Sequence, residues 1–567
     1  MMRGKFPVIP LILIGLFSVW GLRWGLPSKE RTDLFLDPQL RNPEFYAKVE
    51  KARNDLYAKM GDNIYVYMGR LAKTEQPNNL PTMFNSYSSF LLKTHAIDEA
   101  ATLSFVSRLD PLKNRWYPHA FTYGGAYLYP LGAYFALAHA LHVIKLVASP
   151  AFYYVNPQEI ARIYTAARVL SVGGLLAASL AVFCIGESLL ERSIAVWGML
   201  FFGLAPTCMA YTKYAKPHTW ACTFSLWAIY LALTAKKNPS QLKFIAGSSV
   251  LLGWALGMTV TQIAFLPFLL WAAWTSDIRL TIRRGILVLG IVGGVYLMTN
   301  FYLFAHVRDY LDEKAFNSQM APFRLRWGGV WDFAVLNFRV SLGWELWALT
   351  LVGLSWACIQ TRHRTLKSIA LVIVIVILYL SFQLQKLHGE PSMSRHFLAL
   401  IGLLCIMASA VTFQWASAGP VVRWSCLAVL LIKGGIYDEH FSSDKAPYDN
   451  ASLAAQWVSV HVPAHSLIGQ PLGVPAVDCF PPIRFTRYQV VSFESDEFKN
   501  AKGPLYAIVS PGGPDWMPML RARHFLLVQR FNESPLQKLG FHDPFSLANF
   551  PLEIYGRDIS GSKEEDR

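Results

Sequence analysis

Residues 244–276, FIAGSSVLLGWALGMTVTQIAFLPFLLWAAWTS, contain no Asp, Glu, Lys or Arg. A bilayer-crossing helix needs about 20 apolar residues, so this stretch is too long for one straight span. It is predicted to fold back near Thr259–Gln262. Lys236, Lys237 and Lys243 precede it, and Arg279, Arg283 and Arg284 follow it. Basic loops are retained on the cytoplasmic side. Both flanks therefore belong to the cytoplasm, and a hairpin satisfies that.

Working outward, further runs free of acidic and basic residues fall at 6–22, 120–144, 169–186, 193–212, 217–235, 285–307, 346–361, 368–385 and 396–422. The last breaks at Gly419-Pro420, and a final helix is predicted over 420–436. The pattern defines an α-helical polytopic membrane protein of about 11–13 transmembrane helices. Composition agrees. Hydrophobic residues make up 53% of the 567 and charged residues 16%, against about 25% charged in soluble domains. The net charge of +15 comes from short clusters between apolar runs. No basic stripe with interleaved aromatics occurs, so nucleic acid is excluded as a partner.

A third basic loop holds Arg362, Arg364 and Lys367. Alternation from these loops places 213–216, 308–345, 386–395 and everything after about 437 on the opposite side. Arg3 and Lys5 put the N-terminus inside only if one early run does not cross. The run at 120–144, with Gly124, Gly125, Pro130, Gly132, His119, His139 and His142, is assigned as juxtamembrane or re-entrant. The expected location is a cell (inner or plasma) membrane, with the N-terminus cytoplasmic and the C-terminal domain extracytoplasmic; an ER membrane stays open.

Three regions follow: a membrane domain over 1–436 with an outer loop at about 23–119, a small α/β domain over 437–558, and a disordered tail at 559–567. In the loop, Asn42-Pro43-Glu44 reads as a helix N-cap, first position and first-turn acid. In the C-terminal domain a helix is expected over Ala451–Val460, with strands at 466–469, 489–493, 505–509 and 525–528. Six of the seven cysteines lie in apolar runs, and Cys479 has no evident partner. There is no CxxC or His/Cys cluster for zinc.

Few residues are placed to do chemistry. Asp33 follows the first helix, and Asp37 would share its face at i+4 on a helix. Either acid can serve as a general base for an acceptor hydroxyl, or is a solvated partner of Lys29 and Arg31. Arg395 opens an outer helix end in HGEPSMSRHFLAL (388–400). Its donor fork suits a lipid phosphate, or the side chain snorkels to the interface. Lys386 is a second cation nearby, and His388 and Glu390 are candidate pocket residues. Lys213, Lys216 and His218, in TKYAKPHTW (212–220), break the positive-inside pattern. They mark an anion site or are lysines snorkelling to headgroups. Asp98-Glu99, Asp110 and Glu313 are further outer acids. No DxD, Walker A or GxGxxG motif on a strand–helix unit occurs, so nucleotide use is not indicated.

In this order of features the chain resembles the GT-C superfamily of polytopic glycosyltransferases, of the protein O-mannosyltransferase and lipid A aminoarabinose transferase kind. The acid after the first helix is similar to Asp33, although this chain has Asp33-Leu34 where the family usually has two acids in a row. The proline-containing lead into the next helix resembles 108–134, RLDPLKNRWYPHAFTYGGAYLYPLGAY. An Arg-led helix resembles ARVLSVGGLLAAS (167–179), and a helix ending in proline resembles GMLFFGLAPTCMAYTKYAKPH (198–218). Many members have an acid where this chain has Lys216-Pro217-His218. The late outer Arg resembles Arg395.

The resemblance implies a polyprenyl-phosphate-linked sugar as donor and a lipid, glycan or protein hydroxyl as acceptor. It implies inversion, with Asp33 as base. Arg395, Lys216 and Lys386 would hold the phosphate, and Asp37, His218, His388 and Glu390 would line the pocket. Some members need a divalent metal and others do not, and no metal ligand is assigned here. The alternative is a polytopic transporter or flippase for a lipid-linked or anionic substrate. No internal repeat supports it, and charges within the apolar runs are rare.

Overall fold

The computed structural model describes residues 7–60, 83–94, 97–320, 327–359, 364–383, 391–415, 417–442, 450–470, 481–493, 495–501, 505–509, 517–531 and 552–557. The chain divides into two compact units. The first comprises 1–22, 101–140 and 165–442; the second comprises 23–100, 141–164 and 443–567.

The first unit is helical. Among the described residues, six helices are long and apolar enough to cross a membrane, or seven if the bent pair Arg192–Gly203 and Pro206–Thr212 is one span. Shorter apolar helices, Val8–Val19, Leu242–Met258 and Val260–Ala273, accompany them. At its centre stands Leu398–Thr412, buried along its whole length. A helix that is apolar all round belongs in such a position. It packs against Arg192–Gly203, His218–Lys237 and Phe338–Ile359. Ile278–Thr299 is the opposite case. Only 17% of its apolar window is buried, and Ile282, Ile286, Leu289 and Met298 face outward, as a lipid-facing helix requires.

The 244–276 run breaks where its length demands. Helix Leu242–Met258 ends at Thr259, whose backbone is extended (φ −148°, ψ 125°). A 3-10 turn, Val260–Phe265, leads into Leu266–Ala273. The 120–144 run forms helix Gly125–Ala140 with Pro130 inside. Its start is clamped. Gly124 N–H donates to the Met258 carbonyl at 3.1 Å, and Gly125 N–H donates to Asn300 Oδ1 at 3.0 Å. A Cβ on Gly124 would sit 1.8 Å from the Gly257 oxygen, so no other residue fits there.

The second unit joins the loop after the first helix to the C-terminal segment. Its five-stranded sheet has β1 (Leu467–Gln470), β2 (Gln489–Ser492), β3 (Leu505–Val509), β4 (Leu526–Phe531) and β5 (Leu552–Arg557), in the order β2-β1-β3-β5-β4. β1 runs parallel to β2 and β3, and β5 runs antiparallel to β3 and β4. Four strands and helix Asn450–His461 lie where the sequence places them. β5 escapes sequence reading because Glu553 interrupts its apolar side and Gly556 sits near its end. In the sheet that acid is buried, paired with Arg530 and accepting from Tyr555 at 2.6 Å. Helix Pro43–Met60 starts as read, with Phe45 N–H capped by Asn42 Oδ1 at 2.9 Å.

One apolar core unites the parts of this unit. Phe35, Tyr87 and Phe90 from the loop pack with Ala454, Val458, Ile468 and Ile554 from the C-terminal segment. The C-terminal segment closes a second core of its own around Phe498, Leu505 and Tyr555. Cys479 and the 559–567 tail lie outside the described residues.

Candidate functional site

In the first unit, chemistry gathers where the short helix Pro206–Thr212 turns into His218–Lys237. Pro217 sits just before that helix, where its missing N–H costs nothing. The turn carries Lys213, Lys216 and His218, which are 1%, 4% and 2% exposed. Lysine is almost never buried this deeply without compensation. Snorkelling to a surface is therefore not what these side chains do. Ser171, on the Arg-led helix, fixes the turn by donating to the Tyr214 carbonyl at 2.7 Å. Arg168, fully buried on the same helix, donates to the Leu22 carbonyl at 2.7 Å. The Arg-led motif thus ties this helix to the end of the first apolar segment.

The segment with Arg395 approaches the same turn. It is a 3-10 helix, Pro391–Phe397, packed against both Pro206–Thr212 and His218–Lys237. The His218 and His396 rings meet edge to face at 5.4 Å. Arg395 Nε donates to His396 Nε2 at 3.3 Å, and His396 Nδ1 lies 3.3 Å from Thr261 Oγ1. With Nε2 accepting, neutral His396 carries its proton on Nδ1 and donates to Thr261. His218 Nδ1 is buried with no hydrogen-bond partner among the described residues. Arg395 and Lys216 are the cations whose charges act on His218, with His396 beside it. Two lysines, an arginine and two histidines thus converge in an apolar unit, an arrangement that an anion stabilises.

The structure brings together Lys216, His218 and Arg395 of the residues expected from sequence. Lys213, also singled out from the sequence, lies in the same buried turn, and the structure adds His396 and Thr261, which sequence reading missed. Adjacency of His396 to Arg395 was the one available signal for it. Thr261 could be found only from the fold, because the break after Thr259 delivers it. Lys386, His388 and Glu390 lie outside the described residues.

Asp33 and Asp37 belong to the second unit, and here the sequence picture needs correction. Helix Lys29–Phe35, capped by Ser28, ends before Asp37. Asp37 instead precedes the 3-10 turn Pro38–Leu40, because Pro38 cannot continue the helix. The two acids therefore do not share a helix face. Their partners are not Lys29 and Arg31. Asp33 pairs with Arg41 and stays half exposed. Asp37 is 3.4 Å from Arg484 and accepts from Thr486. Arg31 donates to the Lys93 carbonyl at 2.6 Å.

The other candidate acids are held in place. Glu99 is buried and accepts from Thr94 at 2.7 Å. Asp110 caps a 3-10 turn and pairs with Lys113 at 3.1 Å, and that ammonium holds its carboxyl below the usual range. Glu313 accepts from the Phe121 N–H at 3.0 Å and from Thr122. Asp98's side chain lies outside the described residues. Among the described residues no three His, Cys, Asp or Glu side chains are grouped to hold a metal.

The long apolar helices and the small mixed sheet define a multi-pass helical membrane protein with an α/β part. No family model and no curated protein matches the chain. Among solved structures it is similar to ArnT from Cupriavidus metallidurans bound to undecaprenyl phosphate, at 15% identity and a TM-score of 0.44. That alignment covers 87% of this chain and 97% of the other. It is also similar to the Archaeoglobus fulgidus oligosaccharyltransferase in its apo form, at 11% identity and a TM-score of 0.41, covering 90% of this chain and 70% of that one. The A. fulgidus AglB complex with an inhibitory peptide and a dolichol-phosphate aligns at 11% identity and a TM-score of 0.37, covering 85% and 64%. At these scores the likenesses are distant.

Proposed function

We propose that this chain is a membrane glycosyltransferase that moves a sugar from a polyprenyl-phosphate carrier to an acceptor hydroxyl on the outer face of the membrane. The observation that carries the reading is the gathering of the cations Lys213, Lys216 and Arg395 beside His396 and the buried His218. A phosphate monoester on a lipid satisfies both sides of that cluster: its charge meets the cations, and its chain belongs among apolar helices. Arg395 offers two parallel donors, and Lys216 offers a point charge.

The chemistry then balances simply. The acceptor oxygen attacks the anomeric carbon from the face opposite the phosphate. The bond from that carbon to the phosphate oxygen breaks, and the configuration inverts. The carrier phosphate leaves as an anion and needs no acid, only the cations that hold it. The hydroxyl proton passes to a carboxylate, assigned to Asp33. A polyprenyl-phosphate-linked sugar is the donor, and the acceptor is a lipid, glycan or protein. The outer-face orientation follows from the basic-loop count.

The test is sugar transfer by purified protein in liposomes, with a panel of labelled polyprenyl-phosphate sugars and extracted membrane lipids and glycans. Transfer that needs Arg395 supports the reading. Labelled lipid that moves between leaflets with no new glycosidic bond would replace it with a flippase.

A further inference from the structure

A second charged feature lies within the helical unit, away from the cluster in sequence. Lys433, on helix Ala418–Ser442, places Nζ 2.8 and 2.7 Å from the two carboxylate oxygens of Glu345, on helix Phe338–Ile359. Both side chains are largely buried. Ionised residues inside an apolar helical unit are costly, and they mark function more often than in water.

The pair sits on a break. Gly343 has φ +78° and ψ 163°, inside what is otherwise one helix. A Cβ there would stand 2.6 Å from Glu345 Oε1 and 2.9 Å from Lys433 Nζ. The glycine thus supplies the left-handed backbone and leaves room for the pair. After the break, the helix is fixed against the central helix: a Cβ on Gly353 would lie 2.3 Å from the Met407 oxygen. Before the break, Phe338 is buried with its ring 5.6 Å from Phe397, and Phe333 is 5.1 Å from Phe397. Phe397 follows Arg395 and His396 directly.

We infer that the Lys433–Glu345 pair is a clasp that holds the Gly343 break, and through Phe338 and Phe397 sets the position of Arg395 for the lipid phosphate. The pair touches no reacting atom; its members are positioning residues. This inference rests on the phosphate reading, so its test has one arm that does not.

The full chain in lipid nanodiscs is compared as wild type, Glu345→Gln, Lys433→Met and the charge swap Glu345→Lys/Lys433→Glu. The first readout is backbone hydrogen exchange at 391–397. The single variants should exchange faster there but not along 398–412, and the swap should restore protection. Unchanged exchange at 391–397 overturns the clasp, as does a swap that behaves like the singles. Faster exchange throughout would show a role in stability only, and also overturns it. The second readout is binding of undecaprenyl phosphate. About a tenfold loss is expected in each single variant, less than removal of a whole charge-assisted hydrogen bond would cost, with recovery in the swap. Binding that survives in the singles overturns the link to Arg395. No binding by wild type, with the exchange result intact, sinks the phosphate reading and leaves the clasp as a device for another ligand of the Arg395 segment.

Discussion

Arg484 Nη2 donates to the Asp33 backbone carbonyl at 3.2 Å, while Nη1 of the same guanidinium lies 3.4 Å from Asp37. One C-terminal side chain therefore fixes the segment that carries both candidate acids. Its neighbours do the same. Phe485 stacks on Phe90 and meets Tyr87 edge-on at 5.1 Å, and Thr486 donates to Asp37. Arg484→Ala should cost stability by only about 1 kcal/mol, as half-exposed pairs do. It should lower transfer more than that loss explains, because the Asp33 backbone is released. Thermal unfolding and initial transfer rates on the same preparation check this.

Asp33→Asn should cut transfer by about 100-fold or more while donor binding persists, since a general base contributes roughly 10²–10⁴-fold. Asp37→Asn should cut it less, because Asp37 is committed to Arg484 and Thr486. Equal binding of donor by wild type and both variants, alongside those rates, is the expected pattern. Full transfer by Asp33→Asn would move the base elsewhere.

Arg395→Ala and Lys216→Met should each weaken carrier binding by about 2 kcal/mol, the scale of a charge-assisted hydrogen bond, or roughly thirtyfold. His396→Ala should weaken binding less and raise KM for the donor more than it lowers kcat. A donor titration in nanodiscs reads each effect.

Ile554→Ala should destabilise the second unit by about 2–5 kcal/mol, because a fully buried branched side chain leaves a cavity. The diagnostic feature is where the loosening shows. Protease sites in 29–60 should open together with those in the sheet, since both share one core. Cleavage confined to the C-terminal segment would refute the shared core.

Burial pushes the phenols of Tyr46, Tyr87 and Tyr154 above the usual tyrosine value. The folded state keeps these protons while the unfolded chain releases them near pH 10. Their contribution is therefore complete below about pH 10 and is lost as pH rises above it. Unfolding of the second unit should become easier above that pH, and Tyr87→Phe should blunt the effect. Urea titrations at pH 8 and at pH 11 make the comparison.

What the sequence disclosed follows from the range of each interaction. The apolar runs, the break at Thr259 and the Asn42 cap are local, and their residues announce them. Strand Leu505–Val509 was legible for the same reason. The site was half legible. Lys216, His218 and Arg395 were visible as cations out of place, yet nothing local says that His218 meets His396 or that Thr261 completes the contact. Asp37 misled because an i+4 spacing was carried beyond Phe35, where the approach of Pro38 ends the helix. The Gly343 break was hidden, since the sequence reads 308–345 as a loop and leaves no helix there to break.

The shared core also has a consequence in time. Residues 29–94 leave the ribosome early, but Ala454, Ile468 and Ile554, which close their apolar face, are made last. At about 5–20 residues per second, Phe35, Tyr87 and Phe90 wait on the order of tens of seconds for their partners. Assembly of this unit is therefore post-translational by construction. A chain stopped after Ser442 would carry every long apolar helix found among the described residues and still present a sticky, unfinished loop to the cell's quality control.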